Sequence, residues 1–189
     1  MKKIAQIIFL ISALLLLKSE SKAQFDYIGG GIVLATGGEL KYDGYSYYNK
    51  SFGIDLRANY DYSKKLKIVP DFKFYLPNKE KFAAGGESKT TVYVFNLNIH
   101  YVLNSRSRNT YRLYLLGGAH VGAWQLTDSR VPSFGSPLDV SAFKFVPGAN
   151  AGAGMQFQIN DQTLFFAEIK YVIAKANQMV FTPGLLFSI

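Results

Sequence analysis

Ser51–Tyr62, SFGIDLRANYDY, separates into two chemically opposite sets when read in alternation. Phe52, Ile54, Leu56, Ala58, Tyr60 and Tyr62 fall on one face. Ser51, Gly53, Asp55, Arg57, Asn59 and Asp61 fall on the other. Successive side chains of a strand point to opposite sides, so this period of two predicts one extended strand with an apolar and a charged face. Two questions then decide the fold: whether the rest of the chain repeats the pattern, and which face meets the outside.

The pattern recurs. Strands are predicted over Phe25–Thr36, Ser51–Tyr62, Leu66–Leu76, Thr90–Leu103, Thr110–Ala123, Phe145–Ile159, Thr163–Ala174 and Met179–Ile189. Pro70 lacks an N–H and predicts a bulge or local break in the third. The links Ser63–Lys65, Asn104–Asn109 and Asn160–Gln162 are short, whereas Gly37–Lys50, Pro77–Lys89 and Trp124–Lys144 read as long polar loops. Long and short links alternate, which gathers the long ones at one end. Eight such strands, each long enough to cross a bilayer at a tilt, predict an all-β, up-and-down antiparallel transmembrane barrel.

The start of the chain fits that route. Lys2 and Lys3 precede the apolar run Ile4–Leu17, and Ser21 and Ala23 occupy the small positions of a cleavage site. Residues 1–23 therefore read as a signal peptide and 24–189 as one barrel domain. The apolar run is too short to span the hydrocarbon as a helix. Its removal lowers the formal net charge from +8 to +5. The chain has no cysteine, so no disulfide framework supports it. Aromatics are 15% of the residues, with 13 Tyr and 15 Phe, a composition suited to an apolar medium. Beyond the leader no basic run exceeds Lys64-Lys65, which argues against nucleic acid as a partner.

Alternation alone does not say which face is inside. A soluble lipocalin-like barrel would turn its apolar face inward and a membrane barrel outward. The polar faces carry Gly148, Asn150, Gly152 and Gly154 together, small residues that make sense where long side chains from opposite strands share an interior. Tyr60, Tyr62, Tyr101, Tyr111 and Tyr171 near strand ends suit an interfacial girdle. The last residues, Thr182-Pro183-Gly184-Leu185-Leu186-Phe187-Ser188-Ile189, run polar–x–Gly–x–x–aromatic–x–hydrophobic. This resembles the assembly signal of bacterial outer-membrane barrels. With Pro147–Gln158 and Phe165–Tyr171, the chain resembles the small outer-membrane β-barrel family, the eight-stranded OmpA/OmpX-like group in the form common in Bacteroidetes. Ile189 stands where Phe or Trp is usual.

The resemblance implies residence in the outer membrane with short periplasmic turns and long outer loops. It also implies contact with outer-membrane lipid and lipopolysaccharide, and recognition of Gly184, Phe187 and Ile189 by the barrel insertion machinery. No further periplasmic domain is expected. Within the barrel, Asp55, Arg57, Asp61, Lys73, Arg112, Glu168 and Lys170 are expected to form a salt-bridged polar interior, because buried ions need partners. A narrow channel is the alternative use of the same residues. Tyr42, Tyr45, Tyr47, Tyr48, Trp124 and Phe134 are expected on outer loops, where aromatics can hold an extracellular protein or glycan. No cofactor or metal site is expected, since His100 and His120 fall at different heights. No enzyme is expected either. An outer-membrane lipid-modifying enzyme is the alternative, but the loop serines have no base beside them.

Overall fold

The computed structural model describes residues 25–82, 85–104, 111–129 and 140–189. It contains β1 (Tyr27–Thr36), β2 (Gly38–Tyr42), β3 (Tyr45–Asn49), β4 (Phe52–Asn59), β5 (Leu66–Lys81), β6 (Glu87–Val102), β7 (Tyr111–Asp128), β8 (Val140–Asn160), β9 (Thr163–Ala174) and β10 (Gln178–Ser188). Eight of these close an antiparallel barrel in the order β1-β10-β9-β8-β7-β6-β5-β4. The closing pairs run from Tyr27↔Ser188 on one side of β1 to Tyr27↔Asn59 on the other. Closure leaves no edge in the barrel wall, the condition for crossing a bilayer with strands.

The face assignment follows from exposure. On β4, Phe52, Ile54 and Leu56 are 58%, 53% and 57% exposed, while Asp55 and Arg57 are 1% and 4%. The same inversion runs round the wall. Ile28, Phe72, Leu97, Leu115, Phe157, Ile169 and Phe181 all point outward. An apolar belt of this extent has no place in water and belongs in lipid. The soluble-barrel alternative is thereby overturned. Placing arginine at Leu56 is expected to destabilise the folded protein by about 2–4 kcal/mol in lipid vesicles. Asn59→Ser, on the inward face, should change the urea midpoint little, because the Asn59 side chain holds no hydrogen bond. Equal tolerance of the two would overturn the facing.

Pro70 does interrupt one ladder. Pairing of β4 with β5 stops at Arg57↔Asp71 and resumes only at the isolated Tyr60↔Ile68 bridge. The β5–β6 ladder runs unbroken past Pro70↔Leu97. Its own irregularity lies higher, between Tyr75 and Asn78.

Three stretches expected as loops are strand instead. Gly37–Lys50 holds the β2–β3 hairpin, which pairs from Gly38↔Asn49 to Tyr42↔Tyr45. Its two-residue turn has Asp43 and Gly44 at φ of 52° and 78°, the left-handed pair that a type I′ turn requires. Asp-Gly between alternating residues is the strongest short-range hairpin signal, and it is present in this sequence. The stretch Pro77–Lys89 is mostly the upper parts of β5 and β6, and β7 continues to Asp128. At 16, 16, 18 and 21 residues, β5 to β8 exceed the length that spans hydrocarbon, so this side of the wall projects past the membrane.

Candidate functional site

Among the described residues the barrel interior is layered, with buried charged and polar side chains in one layer and apolar ones in another. The middle layer is built by register. Asp55 lies opposite Lys73 and Arg57 opposite Asp71 across β4 and β5. Glu168 and Lys170 face Gly154 and Gly152 on β8. A Cβ at Gly154 would lie 2.5 Å from the Tyr114 ring, so glycine there makes room for that ring beside Glu168.

Six of these side chains form a closed ring of alternating charge. Arg57 Nε donates to Asp55 Oδ2 at 2.7 Å and Arg57 Nη1 to Glu168 Oε2 at 2.9 Å. Lys170 Nζ stands 3.8 Å from Glu168 Oε1 and donates to Asp71 Oδ2 at 3.2 Å. Lys73 Nζ lies 3.3 Å from Asp71 Oδ1 and closes the circuit on Asp55. Three carboxylates and three cations balance. All six are buried. Taking each from water costs several kcal/mol, which only tight pairing and further hydrogen bonds offset. Those bonds are present. Asn96 and Asn98 each donate to Asp71 at 2.6 Å. Asn96 Oδ1 meets His120 Nδ1 at 2.8 Å and accepts from Asn150 at 3.2 Å. Tyr114 donates its hydroxyl to Glu168 at 3.3 Å, and Phe166 carries the Arg57 guanidinium 4.1 Å from its centroid.

Five of the seven charges singled out for the interior thus sit in one ring. Asp61 does not. It lies past the end of β4 and pairs with Lys67 near Asp26 and Ile189. Arg112 faces inward on β7 opposite Gln156, half-buried and outside the ring. Asp71, whose parity on β5 carries it inward, completes the circuit. Its role depends on standing within reach of both Lys73 and Lys170, which only the register reveals. His100 stacks on Tyr114 with centroids 4.4 Å apart, and His120 serves Asn96.

Toward the end with the long links, the interior turns apolar. Val33, Tyr75, Val94, Trp124, Leu126, Val146, Val172 and Val180 form one buried cluster, and the β2–β3 hairpin folds onto it with Leu40 and Tyr47. Tyr47 hydrogen-bonds Asp128 Oδ2 at 3.1 Å, and Asn49 donates to Gln178 Oε1 at 3.0 Å. Asn78 Nδ2 donates to the Tyr48 carbonyl at 3.2 Å. This corrects the expectation for the aromatics. Tyr47 and Trp124 are 1% and 2% exposed and belong to the plug, not to a displayed loop. Tyr42 and Tyr45 pack half-buried against it. Tyr48 is half-buried beside Lys50, and Lys144 covers Tyr42 at 4.2 Å. Phe134 lies outside the described residues. The parity of β7 runs on past Ala123 and carries His120, Gly122 and Trp124 inward. A Cβ at Gly122 would stand 3.0 Å from the Trp124 indole nitrogen.

Gly184, Phe187 and Ile189 lie at the end of β10, the strand that closes the barrel on β1. Gly184 stands opposite Phe166, where a Cβ would meet the ring at 2.6 Å. Phe187 and Ile189 are exposed on the wall.

Residues 8–184 match the family model described as outer membrane protein β-barrel domain. Among curated proteins none matches the sequence. Several solved barrels share the fold. Neisserial surface protein A aligns over 86% of this chain and 96% of its own at TM-score 0.62 and 13% identity. OprG of Pseudomonas aeruginosa aligns over 88% and 97% at 0.60 and 13%. Ail of Yersinia pestis aligns over 88% and 100% at 0.57 and 17%.

Proposed function

The chain belongs to the outer membrane protein β-barrel family, and from that premise we propose that it is a sealed scaffold whose activity resides at its extracellular end. It is an integral protein of the bacterial outer membrane. Its termini and short turns then face the periplasm and its hairpin faces outward. One observation supports the proposal: the interior holds two successive layers of buried side chains, the charge ring and the apolar cluster under the hairpin. A barrel of eight strands is just wide enough for side chains to fill it. Function on such a scaffold falls to its loops.

The extracellular rim exposes Lys41, Lys50, Lys79, Lys81 and Lys175 against Asp43 and Glu80. That balance favours anionic partners, whether lipopolysaccharide phosphates or an extracellular protein or glycan. Ail has been crystallised with a heparin analogue, sucrose octasulfate. Cleavage after Ala23, assembly through Gly184, Phe187 and Ile189, and the absence of catalysis are parts of the same reading.

Planar-bilayer recordings test it. The parent protein is expected to show no steady conductance. Arg57→Ala, which opens the ring and leaves the plug, should remain closed as well. A large steady pore in the parent would establish the channel alternative instead.

A further inference from the structure

The hairpin has two outer edges, and they are treated differently. Tyr42 and Tyr45 flank a two-residue turn and therefore exchange backbone hydrogen bonds. Pairs then alternate, so Leu40↔Tyr47 and Gly38↔Asn49 are also hydrogen-bonded, while Lys41↔Ser46 and Glu39↔Tyr48 are not. The backbone groups of the latter four residues point away from the hairpin. On the β3 side one of these groups is engaged, since Asn78 of β5 donates to the Tyr48 carbonyl. On the β2 side the edge is open. No barrel strand hydrogen-bonds to β2, and Glu39 and Lys41 make no backbone hydrogen bond outside the hairpin among the described residues. A groove of about 330 Å³ runs along this edge, lined by Glu39, Leu40, Lys41 and Lys175.

We propose that the free edge of β2 is a docking site for an extended, acidic peptide segment of an extracellular partner, which adds to the hairpin as a third strand. The proposal rests on the reading of the extracellular end as the interaction surface. Main-chain hydrogen bonds supply the affinity of such strand addition, and flanking side chains supply the selectivity. Here the flanking charge is positive. Lys41 and Lys175 are exposed without a carboxylate partner among the described residues, whereas Glu39 is engaged by the Ser46 hydroxyl at 2.6 Å. The strand is held for the purpose from behind, by Leu40 and Tyr47 in the plug and by Asn49 on Gln178. Open edges are usually blunted in native proteins, and on the β3 side of the same hairpin Asn78 does so at the Tyr48 carbonyl.

The test uses the full protein in lipid nanodiscs and a labelled synthetic peptide that alternates valine with glutamate, with its valine–lysine counterpart as control. The acidic peptide is expected to bind and the basic one not. Glu39→Pro removes an outward N–H without breaking a hairpin bond. It also removes a negative charge, so electrostatics and backbone pairing predict opposite signs. Strand addition predicts binding weaker by roughly tenfold, the worth of one lost hydrogen bond. Tighter or unchanged binding by Glu39→Pro would overturn the proposal and leave a general polyanion surface. Amide exchange in the parent gives a reading that needs no variant: the Glu39 and Lys41 amides should be slowed by the acidic peptide. Their unchanged exchange in the bound state would also overturn it. Failure here with a non-conducting barrel removes this site alone. A conducting barrel removes the scaffold reading and leaves the peptide result standing.

Discussion

Asp71→Ala is expected to destabilise the barrel by about 3–5 kcal/mol, the cost of stripping one partner from a buried ion pair. Asp71 is the most heavily used carboxylate of the ring. It receives Lys170 and the two amides of Asn96 and Asn98, and it lies within ion-pair reach of Lys73. Its removal leaves two buried ammonium groups sharing fewer anions and two amide donors without an acceptor. The measurement is urea unfolding of the protein assembled in lipid vesicles, read from the shift of midpoint at constant slope. A companion variant separates pairing from packing. Asp71→Asn combined with Lys170→Met removes both members of a pair, restores charge balance and keeps most of the volume. Replacing both partners costs less than removing one, so the double variant should be more stable than Asp71→Ala. If both lose the same stability, or if Asp71→Ala loses none, the ring is not what organises the interior.

Trp124→Ala is expected to cost a similar amount, about 3–5 kcal/mol, the range for truncating a buried large aromatic. The sequence contains one tryptophan, so its fluorescence reports on this position alone. In the folded protein the emission should be blue-shifted and resistant to a soluble quencher. An indole on an exposed outer loop would be red-shifted, readily quenched and nearly free to replace. The same variant should loosen the hairpin, because Leu40 and Tyr47 share its apolar cluster with Trp124. Faster amide exchange in β2 and β3 would record this, while the ring residues lower in the barrel keep their protection.

The two variants probe layers that were unequally visible in the chain. The charged layer was nearly all legible because parity decides it. On β4 each second residue is glycine or polar amid apolar neighbours, on β9 Glu168 and Lys170 alternate with apolar residues, and buried ions must find one another. Asp61 shows the limit, since parity places it inward but the strand ends before it reaches the ring. The plug was misread for a different reason. Gly37–Lys50 and Trp124–Lys144 are rich in tyrosine, glycine and polar residues, so composition describes them as loops. Within them, Asp43-Gly44 and the even-numbered run through Leu126 carried the hairpin and strand signals.

The sequence by itself determined the strand rhythm, the apolar face and therefore the lipid-facing barrel. These depend on local periodicity, which a chain states residue by residue. Register was beyond it. Opposing Arg57 with Asp71 and Gly154 with Tyr114 depends on how eight strands slide when they close, a non-local condition. So does the fate of the hairpin. Its residues suit exposure or burial equally well, and only the apolar mouth formed by β1 and β5 to β10 gives Tyr47 a place to be buried. The two edges of that hairpin differ for the same reason: Asn78 of β5 reaches the Tyr48 carbonyl on β3, and no barrel strand hydrogen-bonds to β2.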